Sequence, residues 1–351
     1  MIGRPPRRAA LAAGAALLLG AAAGPSAADE TPPPDRGEVP VEGEFAFTSG
    51  ETTVRGAVHA VRRVDGATAV YYSLGVREGE TWTPNVALPL PGRFVPYRPT
   101  EAAAVTLVDT AGLSYYEVMV DDAGDCLCPQ TYELGTEAGV LNVAWALLPP
   151  LPDEVETVAV RVAGAAVVED VPVEDGALEP ARDAPSTVVG EGWPALPEAS
   201  AVADPQEFVR ALVRNVSDRE RTVVSQERPG RVDESLAADV LFAVDSATLT
   251  PQAQSTLTEL AGRLRERAEG AVSVVGHTDT TGDGAYNEQL SLRRAQAVVS
   301  ALQPQVGAGV QLRAEGRGER EPVADEATDE GRSLNRRVSV TYAVEATGGA
   351  R

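Results

Sequence analysis

The stretch VSVVGHTDTTGDGAYNEQLSLRRAQAVVSAL, Val272 to Leu302, governs the reading of this chain. It opens as a β-branched apolar run, which reads as a buried strand. A loop of Thr, Asp and Gly follows. From Tyr286 the pattern becomes an amphipathic helix, with Leu290, Ala297, Val298 and Ala301 as its core face. His277 then sits at the strand end and Asp279 in the loop. Asn287, Ser291 and Arg294, at i, i+4 and i+7, line one helical stripe that can face that loop. An aspartate and an arginine facing one cavity suit a zwitterion: the carboxylate takes an ammonium and the guanidinium forks onto a carboxylate. A plain Asp279–Arg294 ion pair fits the same spacing, and spacing alone leaves both readings open.

The flanking sequence continues the alternation of helix and strand. DVLFAVDSATLT reads as a strand ending in a turn. PQAQSTLTELAGRLRERA reads as a helix, with Pro251 in its first turn and Leu257, Leu260 and Leu264 at 3,4 spacing. VQLRAEGRG is an expected strand, DEGRSLNRR a short helix and VSVTYAV a last strand. Helices packed on a mixed sheet, an α+β layer, follow from this order.

Upstream the pattern differs. Residues 45–178 carry short β-like runs split by turns, as in VRGAVHAVRRVDGATAVYYSLG, with its tight turn at Val64-Asp65-Gly66. The expectation is an all-β, immunoglobulin-like sandwich. Trp82, Trp145 and the tyrosine pairs at 71–72 and 115–116 read as core packing rather than a binding face. His59 reads as a surface or partly buried strand histidine. Residues 179–205 are rich in Pro, Ala, Ser and Gly and read as a linker. Residues 206–236 read as a lead-in to the second domain, which spans 237–345.

At the N-terminus, Arg4, Arg7 and Arg8 precede an apolar run, Ala9 to Gly24, too short to span a bilayer comfortably. Residues 1–28 therefore read as a signal peptide cleaved near Ala28, and 29–44 as a polar, Pro-rich leader. No later stretch reads as a transmembrane segment. The formal net charge of −22 argues against nucleic acid and against docking on anionic lipid. The basic residues are all arginine.

Catalytic readings find little support. With only two histidines in the chain, a triad would have to use His277, and no Gly-x-Ser-x-Gly occurs. GRGER at Gly316 to Arg320 and TGDG at Thr281 to Gly284 lack the lysine of a phosphate loop and read as turns. Cys126 and Cys128 are the only cysteines. In an oxidising compartment a small-loop disulfide is expected there, ahead of two free thiols; zinc would lack two of its usual four partners. No cofactor, metal centre or catalytic residue is expected.

Three stretches, VLFAVDSATLT, VVGHTDTTGDGAYNEQLSLRRAQAV and GRGEREPVADEATDEGRSLNRRVSV, stand in the order and spacing of the OmpA-like peptidoglycan-binding domain. Residues 237 to 344 resemble that family. The resemblance implies a βαβαβ-type domain that binds diaminopimelate in the stem peptides of peptidoglycan. Asp279 and Arg294 match the aspartate and arginine that grip that residue's amino-acid end. Asn287, Asn335 and Arg336 match residues of the same pocket. The resemblance thus implies a non-enzymatic protein tethered to the cell wall, exported to the cell envelope, and outer-membrane-associated if the host is diderm. Arginine bias, export signal and Pro-rich linker together look like an actinobacterial envelope protein. A wall hydrolase or an adhesion protein that uses this domain only for targeting is the alternative. The partner of the β-module stays open.

Overall fold

A computed structural model describes residues 39–80, 82, 97, 101–134, 137–164, 166–199, 202, 204–219 and 221–345. The expected signal peptide and most of the leader lie outside the described residues.

The N-terminal half is built from β1 (Gly43–Ser49), β2 (Thr52–Val64), β3 (Ala67–Gly75), β4 (Val105–Asp109), β5 (Ser114–Tyr116), β6 (Asn142–Leu148), β7 (Thr157–Val162) and β8 (Ala166–Asp175). The short strands β9 (Ala181–Arg182), β10 (Thr187–Val188), β11 (Trp193–Pro194) and β12 (Val209–Ala211) follow. The β2–β3 hairpin turns at Asp65-Gly66, where Gly66 takes φ +70°. Among the described residues, hydrogen bonds run through one sheet in the order β10-β6-β3-β2-β8-β7-β4-β5-β12, with β1 added on β2. A parallel pairing of Val61–Arg63 with Val173–Asp175 joins its two halves. Strands β9 and β11 pair with each other apart from this sheet. Val58, Val70 and Tyr72 from one half share a core with Leu107, Val160 and Val171 from the other.

Strand β3 is buried along its whole length. Its second face lies under Leu178, at the end of the β-module, and under residues read as linker and lead-in: Leu178, Trp193 and Phe208 pack with Tyr71, Trp145 and Leu147. The stretch 179–205 has no apolar period because it crosses the sheet irregularly. Its isolated large side chains still bury; Trp193 meets the His59 ring edge-on at 5.3 Å. His59 itself is buried, with Nδ1 2.7 Å from the Pro40 carbonyl oxygen. Cys126 and Cys128 are joined in a disulfide at the rim of the main core.

The C-terminal half contains β13 (Arg214–Ser217), β14 (Val223–Arg228), β15 (Arg231–Ala237), α1 (Ala238–Leu241), α2 (Pro251–Arg267), β16 (Ala268–His277), α3 (Gly284–Leu302), β17 (Gln311–Gly318), α4 (Asp329–Asn335) and β18 (Arg337–Val344). Its sheet runs β13-β14-β15-β18-β16-β17. Strands β16 and β17 are parallel, joined by α3, and β18 lies antiparallel to β15 and β16. Leu257, Leu260 and Leu264 of α2 and Ala295, Val298 and Leu302 of α3 close over Val272, Val274, Val338 and Val340. At about 25 cal/mol per Å² of apolar area, burial of this kind is the main stabilising term. The chain is thus mixed α+β, as expected. Residues 239–250 are not the strand expected: Leu241 and Phe242 both bury in this core, which consecutive strand residues, facing opposite ways, cannot do. The chain makes the turn α1 instead, and a bridge from Phe242 to Leu249 closes the following loop. No helix among the described residues is long and apolar enough to cross a membrane.

Candidate functional site

Helix α3 reaches its place because two glycines let it approach the sheet. A Cβ at Gly276 would stand 2.1 Å from the Ser291 carbonyl oxygen, and one at Gly316 would stand 2.5 Å from the Leu292 nitrogen. The Ser291 hydroxyl accepts the Gly318 N–H at 3.0 Å, fixing helix to strand. Asp283 caps α3, its Oδ1 accepting the Tyr286 N–H at 3.0 Å. This docking sets the loop 278–283 beside the N-terminal half of α3.

Asp279 is buried in that loop. Its Oδ1 accepts the Thr281 N–H at 3.0 Å, and its Oδ2 accepts from Arg336 Nη1 at 2.7 Å. Burial raises its pKa, but the Arg336 and Thr281 hydrogen bonds outweigh that and hold the carboxyl below its ordinary value. Arg336 also forks onto Asp239 of α1, Nε to Oδ1 at 2.9 Å and Nη2 to Oδ2 at 2.6 Å. That fork, above all, holds the Asp239 pKa low.

Arg294 does not pair with Asp279. Its Nε donates to the Ser246 carbonyl at 2.9 Å, and its guanidinium carbon lies 5.3 Å from the centre of the Phe242 ring. Among the described residues no carboxylate stands within ion-pair distance of it. Burial lowers its pKa, while Asp239 and Asp245 act in the opposite sense and Arg336 adds to the lowering. The plain ion pair that the spacing allowed is therefore not formed. Arg336 links the two residues instead, bonded to Asp279 and close enough to Arg294 to repel it.

The two asparagines serve loops. Asn287 Nδ2 donates to the Thr281 carbonyl at 3.1 Å and to Glu319 Oε2 at 3.0 Å, tying the Asp279 loop to the end of β17. Asn335 is fully buried: its Oδ1 accepts the Val323 and Ala324 N–H groups at 2.7 and 3.0 Å, and its amide donates to the Ala324 carbonyl and to Glu326. Its side chain is taken up by the 323–326 loop.

Asp239, Phe242 and Ser246 belong to the site and were not read from the sequence. They come from α1 and the loop after it, far along the chain from Asp279, and no local spacing marks them. His277 stands apart. It lines a cavity on the other face of the sheet, and burial first, then Arg337 and Arg317, pushes its pKa down to about 4. It is not a reactive partner of Asp279.

Residues 241–336 match the OmpA family. The chain is 40% identical over 121 residues to the probable lipoprotein YiaD of Escherichia coli, covering 34% of this chain and 55% of that protein. It is 36% identical over 110 residues to the outer-membrane lipoprotein YfiB of Pseudomonas aeruginosa, covering 31% of this chain and 66% of that one. The chain thus spans about half to two thirds of these relatives' own length. A solved structure, the cell wall anchor of the T6SS from Pseudomonas aeruginosa, is 36% identical, with 36% of this chain and 91% of that one covered and a TM-score of 0.34. Residues 241–336 of this chain are an OmpA family domain.

Proposed function

We propose that this domain binds peptidoglycan non-covalently through the diaminopimelate residue of its stem peptides, and that it tethers an exported protein in the cell envelope without catalysing a reaction. The observation that carries the reading is Arg294: a buried guanidinium with one carbonyl acceptor and no carboxylate partner among the described residues. A buried charge left uncompensated costs several kcal/mol, so such a site favours a ligand that brings the missing carboxylate. Asp279 supplies the opposite pole. Its ionised state is maintained by Arg336, and each of its oxygens has a further lone pair for an ammonium. Asp239 neutralises Arg336, which keeps that cation from repelling the ligand's ammonium. The amino-acid end of diaminopimelate presents both charges on one carbon, which matches a site with two poles.

Co-sedimentation of the full chain with diaminopimelate-type and lysine-type cell wall tests the proposal. Retention on the first wall and little on the second is expected, because lysine lacks the second carboxylate. Asp279→Ala and Arg294→Ala should each weaken retention by about 2–5 kcal/mol, roughly thirty-fold to several thousand-fold. Variants that bind as well as the parent would overturn the assignment.

A further inference from the structure

Helices α2 and α3 pack on one face of the sheet of the C-terminal half. The other face lines an open cavity of about 690 Å³, to which Leu334 of α4 also contributes. Its floor is a hydroxyl array on three adjacent strands: Ser235 of β15 faces Ser339 of β18, and Thr341 of β18 faces Ser273 of β16. Among the described residues the Ser235, Ser273 and Ser339 hydroxyls have no hydrogen-bond partner. His277 and Arg337 close one end.

Both of those side chains are buried. His277 is 2% exposed, and its Nδ1 has no hydrogen-bond partner. Arg337 is 8% exposed; its Nη2 donates to the Glu321 carbonyl at 3.0 Å and its Nη1 to the Asn335 carbonyl at 3.4 Å. No carboxylate among the described residues ion-pairs with it. The neighbouring acids are engaged elsewhere: Glu315 and Glu321 lie 2.9 and 3.7 Å from Arg317, and Asp233 lies 2.7 Å from Arg231. Arg337 is therefore a second buried cation with no carboxylate partner among the described residues, in a space whose lining carries hydroxyl donors beside Asp233, Glu234, Glu315 and Glu321, the acid Glu234 being paired with Arg263.

We infer that this cavity is an oxyanion site, in which Arg337 and the serine hydroxyls take a carboxylate or phosphate group beside His277. Asp279 and Arg294 do not line the cavity, so the inference is independent of the proposed wall-binding site. A planar guanidinium offers a fork of donors to either group, and the serine O–H donors widen the site beyond that single charge.

The chain has two histidines, so ring proton resonances report the site directly, with His59 as an internal control. Inorganic phosphate and sodium acetate are titrated separately into the full chain, against sodium chloride at matched ionic strength. Saturation of the His277 shift in the millimolar range by one or both anions is expected, with His59 unmoved. A response to phosphate alone assigns a phosphate site, and a response to acetate assigns a carboxylate site. Arg337→Met should abolish the response, and Asp279→Ala should leave it intact. If Arg337→Met does not fold, Ser339→Leu, which fills the cavity from its floor, takes its place with the same expected loss. A linear shift, equal shifts at both histidines, or saturation that survives these substitutions overturns the inference.

Discussion

At Arg294 the guanidinium stands over the Phe242 ring with a carbonyl at 2.9 Å as its acceptor, while Asp279 is held by Arg336. The motif made Asp279 and Arg294 legible as two charged poles in the sequence. It did not reveal that a third charge sits between them, because Asp239, the anchor of Arg336, lies at the far end of the fold's chain path. His277 was legible as a strand-end residue, but its environment depends on Arg317 and Arg337, which arrive on β17 and β18. That environment has a consequence for pH. The His277 pKa falls from 6.5 to about 4 on folding, so between those values the unfolded chain binds more protons. Its contribution is full above pH 6.5 and is lost as pH falls toward 4. Denaturant unfolding at pH 7 and pH 4 should differ by about 3 kcal/mol from this group, and His277→Gln should flatten that part of the profile.

At the scale of elements, the strand–loop–helix unit from β16 through α3 was legible because its period switches from 2 to 3.6 at a Gly- and Asp-rich loop. The core face of α3 shifted slightly: Ala295 and Leu302 are fully buried, whereas Ala297 and Ala301 are partly so. The contact with the sheet decides that rotation, and Gly276 and Gly316 permit the contact. Gly276→Ala should push α3 off β16 and destabilise the domain by about 3 kcal/mol, as overpacking does. Thermal unfolding should show the loss, together with weaker wall retention as the Asp279 loop moves. Residues 239–250 show where periodicity fails. The continuous apolar run from Val240 to Val244 resembles a strand, yet burial of both Leu241 and Phe242 on one side requires a turn of helix.

Across the whole molecule, the hydrophobic cores divide cleanly. The two N-terminal clusters draw on residues up to Val209, and the C-terminal cluster draws on residues from Val223 onward. Strand β12 completes the first sheet and β13 begins the edge of the second, with Leu212 and Val213 between them. Calorimetry of the full chain should therefore resolve two transitions, and a fragment of residues 213–345 should reproduce one of them. A single transition in the full chain with an unfolded fragment would show that the halves fold as one. The sequence by itself determined the mixed α+β class, the C-terminal family, the hairpin turns and the placing of Asp279 in the loop and Arg294 on the following helix, because period, turn chemistry and motif order are local properties. Only the tertiary structure decided that the Pro-rich stretch covers β3, that β2 and β8 join the two halves of the large N-terminal sheet, and that Arg294 and Arg337 are buried cations without carboxylate partners among the described residues. Those outcomes depend on which distant side chains meet, and burial, charge compensation and sheet closure are set by that meeting rather than by neighbours along the chain.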